Sequence, residues 1–153
     1  MSIAKILDML TGRTSEPQPA YRHDPLRLAT AAVLLDIAHA DGEFTPVEDG
    51  DLTGYLAKAF QLSDDDTKEL LEAADEIRRK TIDHFALTNY IRKNMAAEER
   101  LEIVKTMWRM AFSDGKLTDY EGYLVRKIGD LMGIERHVII DAKSAVLDER
   151  GRT

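Results

Sequence analysis

A chain of 153 residues, 44% hydrophobic and 32% charged, is long enough to bury the core of one domain and too apolar to stay disordered. Its net charge of −7 argues against a nucleic-acid surface, which needs a basic face, and its lack of cysteine excludes disulfides, thiolate nucleophiles and thiolate metal sites. No apolar run reaches the ~18 residues of a membrane span, and Asp8 breaks the short N-terminal apolar stretch that a signal peptide would need, so a cytoplasmic protein is expected.

Residues 2–11 can form a short amphipathic helix through Ile3, Ile6, Leu7 and Leu10. Such a helix is marginal alone and is expected to dock on the body. Peripheral membrane association is the other use of this stripe, although Lys5 alone gives little attraction to a charged surface. Thr14–Asp24, with Pro17 and Pro19, reads as a linker. Residues 1–24 therefore precede a helical domain expected over 25–149, with a basic tail at 150–153.

The four prolines stand at 17, 19, 25 and 46, so everything after Pro46 is free of helix breakers. Pro25 opens a helix capped by Asp24. From Leu26 to Ala40 it is apolar on nearly every side, through Leu28, Ala32, Val33, Leu34, Leu35 and Ile37, which predicts burial all round. A second helix starts at Thr45 and buries Val47, Leu52, Tyr55, Leu56 and Phe60. Ser63 caps a third, which opens on Asp64, Asp65 and Asp66 and closes on Arg78, Arg79 and Lys80, matching the helix dipole at both ends. Its inward stripe is Leu70, Leu71, Ala74 and Ile77. Asp83 starts a shorter helix carrying Phe85, Leu87, Tyr90 and Ile91 inward. Ala96–Ser113 is a second core helix with Leu101, Val104, Met107, Trp108 and Ala111. Thr118 starts another, with Leu124, Val125, Ile128, Leu131 and Met132, which Gly133 stops. The last runs from Arg136 to Leu147 on Val138, Ile139, Ala142 and Val146, with a frayed tail after it. No strand pattern is present. The expected fold is all-α, a compact bundle of about seven to eight helices.

Two stretches repeat. Ala40–Glu48 and Ser113–Glu121 both read small-Asp-Gly-x-apolar-Thr-x-x-Glu, and an offset of 73 residues separates Asp41 from Asp114 and Glu48 from Glu121. Matched chemistry at a fixed offset implies two halves built on one plan, an internal pseudo-two-fold. Most of this motif is explained by a helix-turn-helix corner. Gly42 and Gly115 end a helix, Thr45 and Thr118 cap the next, and Glu48 and Glu121 fall where a capping box places its glutamate. The aspartates are left over. Asp41 and Asp114 close helices whose last carbonyls already carry partial negative charge, an unfavourable place for an anion unless a cation is present. Carboxylates beside free carbonyls are the oxygen ligands that Ca²⁺, Mg²⁺ or Mn²⁺ take. The alternative relief is that each aspartate accepts N–H groups from the following helix. The corner is not an EF-hand. The two upstream positions that should be acidic are Met110 and Phe112 in the second copy and Ile37 and His39 in the first. Asp119 in the second copy, and Glu43 or His39 in the first, are candidate extra ligands.

The string from Trp108 through Ser113-Asp114-Gly115 to Glu121, with the earlier Ala38-His39-Ala40-Asp41-Gly42-Glu43 copy, resembles the TerB-like tellurite-resistance family over roughly Leu26–Ala145. The resemblance implies an all-α fold with internal pseudo-symmetry and no established catalysis. It further implies an acidic cluster that binds divalent cations and a role in bacterial stress or envelope-linked processes. Carried over residue by residue, the metal set is Asp41, Glu48, Asp114 and Glu121. Lys116 departs from the first copy, which has Glu43 there, and places a positive charge beside the second corner.

Three readings of function follow. The leading one is a non-catalytic divalent-cation-binding module with no organic cofactor. The second is a scaffold whose acidic half docks a basic protein partner, since between Asp36 and Glu76 only Lys58 and Lys68 oppose many carboxylates. The third is a carboxylate-bridged metal enzyme, which wants Glu-x-x-His on two helices. The nearest match is a single Asp36-x-x-His39, while His23, His84 and His137 are scattered and no Gly-rich phosphate loop or nucleophile motif occurs. An enzyme is therefore not expected.

Overall fold

A computed structural model of the chain describes residues 25–39, 46–80, 84–113 and 118–151. Among them the chain forms seven helices and no sheet: α1 (Pro25–Ala38), α2 (Pro46–Phe60), α3 (Asp64–Lys80), α4 (His84–Asn94), α5 (Ala97–Ala111), α6 (Asp119–Leu131) and α7 (Arg136–Gly151). The helix expected over 2–11 and the linker after it lie outside the described residues.

The local rules account for these elements. In α1 the near-absence of a polar face leaves every residue from Leu28 to Ala38 buried except Asp36, and Thr30 satisfies its hydroxyl on the Leu26 carbonyl at 2.8 Å. The Ser63 hydroxyl oxygen accepts from the Asp66 N–H at 3.1 Å at the start of α3, and Thr67, Leu70, Ala74 and Ile77 form its buried stripe. Both α2 and α6 end in the same way. Gln61 and Gly133 adopt positive φ, at 53° and 82°, and the next residue closes a Schellman bond, Leu62 to the Ala57 carbonyl and Ile134 to the Gly129 carbonyl.

The repeat extends through three helices on each side. Displaced by 72 or 73 residues, the starts of α1, α2 and α3 fall on the starts of α5, α6 and α7. Packing follows the same symmetry: α1 lies on α3 as α5 lies on α7, and α2 reaches across to α5 as α6 reaches across to α1. The two core helices α1 and α5 meet at the centre. Trp108 on α5 is fully buried, donates from Nε1 to the Ile139 carbonyl at 3.0 Å, and stacks on Phe112. Helix α4 stands between the repeats and packs on α1, α5 and α6.

Several expectations are corrected. Phe85 is 55% exposed, because it precedes the buried Leu87 by two residues and so points from the opposite side of α4. Helices α1 and α5 stop at Ala38 and Ala111, two residues short of the expected ends. Helix α7 runs on past Leu147 to Gly151, and a two-bond ion pair from Arg109 to Glu149, at 3.0 and 3.1 Å, holds that last turn to α5. Leu71, Leu101, Leu131 and Val138 are half-buried rather than core. Among the described residues no helix is long and apolar enough to cross a membrane.

Candidate functional site

The second corner is built by the end of α5 and the start of α6. Phe112 caps α5 with its N–H on the Trp108 carbonyl, and Ser113 turns its hydroxyl back onto the Met110 carbonyl at 2.8 Å. Thr118, with an extended backbone (φ −79°, ψ 156°), is the N-cap of α6. Thr118 and Glu121 then form a reciprocal box. The Glu121 N–H donates to Thr118 Oγ1 at 3.0 Å, while Glu121 Oε1 accepts from the Thr118 N–H at 3.3 Å and from its hydroxyl at 2.9 Å. Glu121 is only 1% exposed. A carboxylate at that depth needs partners of this kind, since burial otherwise favours its neutral form.

The capping role expected of Glu121 is thus present. Of the other three residues in the acidic set, Asp41 and Asp114 lie outside the described residues, as does the side chain of Glu48. The backbone of Glu48 sits in the first turn of α2, which begins at Pro46, so it occupies the place in its helix that Glu121 has in α6. His39 engages the Leu35 carbonyl through Nδ1 at 2.9 Å. Asp119 is exposed in the first turn of α6. Among the described residues no group of three or more His, Asp or Glu gathers in a geometry that could hold a metal ion.

A second feature escaped the sequence reading. Helices α2 and α5 flank a groove of about 790 Å³ lined by Gly50, Asp51, Tyr55, Glu99, Glu102 and Arg109, with Lys58 and Ala59 towards one end. Burial, and next the nearby carboxylates of Glu102 and Glu99, hold the Tyr55 phenol well above its ordinary range. Burial also raises the Asp51 carboxyl, against the pull of Arg109 and Arg150. Arg109 is held cationic chiefly by its hydrogen bonds to Glu149, whose carboxyl they lower in turn. The groove therefore sets a neutral phenol between charged side chains on a largely apolar lining. Its walls come from helices about fifty residues apart in sequence, and no local motif announces such a pairing.

A family model described as "Tellurite resistance protein TerB" matches residues 27–144. No curated protein and no solved structure matches the chain. The matched stretch runs from α1 into α7 and takes in both corners and all of the packing symmetry. With so much of its length matched, the chain belongs to the TerB family, whose domains are non-catalytic structural or regulatory modules.

Proposed function

We propose that this TerB-family domain is a small cytoplasmic module that binds divalent cations in a bacterial stress or envelope-linked system. Asp41, Glu48, Asp114 and Glu121 supply the oxygen ligands, and Ca²⁺, Mg²⁺ or Mn²⁺ is the cation. The observation that carries this reading is Glu121. A carboxylate only 1% exposed is held on the N-cap Thr118, four residues after Asp114 in the chain. The repeated spacing of Asp41 and Glu48 extends the reading to the first corner. A thermal melt of chelator-treated protein, titrated separately with Ca²⁺, Mg²⁺ and Mn²⁺, tests it. A native-state ligand at a hundredfold excess over Kd adds about 2.7 kcal/mol. A saturable, ion-selective rise in melting temperature is expected, and it should vanish in the Asp41→Asn/Asp114→Asn double variant with helical content unchanged. No rise with any ion at millimolar levels rejects the proposal.

A second reading is favoured by the distribution of charge. Residues 25–80 hold thirteen Asp and Glu against six Lys and Arg, so they carry a net −7, as much as the whole chain. In this reading the corners are helix caps only, as the box at Thr118 and Glu121 allows, and the exposed carboxylates of α3 dock a basic protein. Capture of a basic partner would then weaken with salt and ignore chelator.

A further inference from the structure

The chain carries a net −7, yet one of its clefts is lined mainly by cations. Helices α6 and α7 flank a cleft of about 230 Å³ lined by Tyr123, Arg126, Lys127, Asp130, Arg136 and Ile139. Three positive side chains meet one carboxylate there, a local net of +2. Close packing beneath fixes the walls. An added Cβ on Gly129 would lie 2.7 Å from Ile139, so α6 and α7 meet without a gap, and the Ile139 carbonyl holds the Trp108 indole. Arg126 and Arg136 each stand three residues before that contact and so share its side of their helices.

Internal pairing does not account for these cations. Among the described residues the side chains of Arg126, Lys127 and Arg136 make no ion pair or hydrogen bond. Asp130 lies three residues from Lys127 and four from Arg126, within reach of both, and pairs with neither. Helix capping does not account for Arg136 either. It opens α7, where a positive charge opposes the helix dipole, and the first turn of α7 holds no acidic residue. The other repeat supplies the contrast. The turns that end α2 and α6 pair Leu62 with Ile134, and two residues later come Asp64 and Arg136, the first residues of α3 and α7. The corresponding cleft, between α2 and α3, includes Thr53, Gly54, Asp64 and Lys68, with one charge of each sign. Both clefts follow from the shared backbone, and only the second gathers positive charge.

We propose that the α6–α7 cleft binds a phosphate dianion, free or as a small monoester, through Arg126, Lys127 and Arg136, with the Tyr123 phenol as a further donor. The local net of +2 matches the charge of about −1.5 to −2 that a phosphate monoester carries at pH 7. The two guanidinium groups can each donate paired N–H bonds to phosphate oxygens, and Lys127 adds a point charge. Size sets the class of ligand. A cleft of about 230 Å³ falls below the ~300 Å³ at which drug-sized sites begin, so a phosphoryl group on a short carrier fits and an extended ligand does not. Asp130 limits the affinity, since it meets any bound anion as a like charge. No residue of this cleft belongs to either Asp-Gly corner, so the site stands apart from the cation reading of those corners.

The test is a titration of the isotope-labelled full chain with inorganic phosphate and, separately, with free O-phosphoserine. Amide signals over residues 123–130 and 135–139 should shift and saturate, with a Kd of about 1 mM or tighter for at least one of the two. Tighter binding of phosphoserine makes the ligand a monoester, and equal or tighter binding of inorganic phosphate makes it the free ion. Arg126→Gln and Arg136→Gln should each weaken binding roughly tenfold. Asp130→Asn should strengthen it severalfold, a gain that neither unfolding nor a purely structural role produces. Lys68→Gln removes one positive charge from the other cleft and should leave binding unchanged. All four side chains are exposed, so helical content should hold in every variant. Shifts that grow without saturating overturn the proposal, as does an equal loss in Lys68→Gln and Arg136→Gln. Unchanged or weaker binding in Asp130→Asn would put the anion elsewhere, with the same result.

Discussion

The two repeats share a plan and differ in chemistry, and the difference separates what the fold needs from what each half adds. Both consist of a core helix, a second helix ending in a Schellman turn, and an outer helix. The first half is strongly acidic. The second is nearly neutral, with eleven Asp and Glu against ten Lys and Arg in residues 97–153. Its last two helices approach closely at Gly129, where an added Cβ would come within 2.7 Å of Ile139; the matching Schellman position of the first repeat is Ala57. Its core position 108 is tryptophan, where the first repeat has Leu35. Symmetry thus sets the backbone. Charge, groove and side-chain volume are free to diverge.

The largest expected effect tests the core. Trp108→Ala should destabilise by about 3–5 kcal/mol, since it empties the centre of α5 and leaves the Ile139 carbonyl without its donor. Leu35→Ala, its counterpart, should fall in the 2–5 kcal/mol range typical of such truncations. A much smaller loss there, in denaturant melts of both variants, would mean that the second repeat carries the stability of the domain.

Glycine substitutions should have opposite signs in the two halves. Gly129→Leu forces Ile139 aside and should lose about 1–3 kcal/mol. Gly54→Ala meets open space on a helix and should gain about 1 kcal/mol. Equal signs in thermal melts would undo the asymmetry of packing described here.

The corners permit a finer comparison. Thr118→Ala removes the two hydroxyl bonds with Glu121, while the bond from the backbone N–H of residue 118 can persist, and should cost about 1 kcal/mol. Thr45→Ala measures whether the first corner is capped to the same degree; a loss of similar size extends the box to Glu48. The smallest effect is expected at the pair between Arg109 and Glu149. Both partners are partly exposed, so Glu149→Gln should change stability by under ~1 kcal/mol, and less in high salt. The sign in pH follows from the lowered Glu149 carboxyl. Its contribution is present above the ordinary carboxyl value of 4.5 and is lost as pH falls through the depressed one. Hydrogen exchange in the last turn of α7 should rise over that window.

Much of the fold was legible because its signals are local. Pro25 and Pro46, the aspartates after Ser63, and the box from Thr118 to Glu121 each mark a helix end within a few residues. The fixed offset between the two Asp-Gly corners disclosed the repeat. Of the candidate site, the capping role of Glu121 followed from spacing, because a capping box closes within three residues. Phe85 was misplaced because one aromatic residue in a short helix does not fix which face turns inward. The turn beyond Leu147 was missed because its partner Arg109 lies 40 residues away from Glu149.

The amino-acid sequence by itself determined the helices, their order, their caps and the two-fold plan, since each depends on contacts a few residues apart or on a motif met twice. The tertiary structure alone decided that α4 covers one cross-repeat groove, that its mate between α2 and α5 lies open among the described residues, and that Asp51, Tyr55, Glu102 and Arg109 face one another across it. Those are meetings between helices distant in the chain, and the geometry of packing, not any local pattern, brings them about.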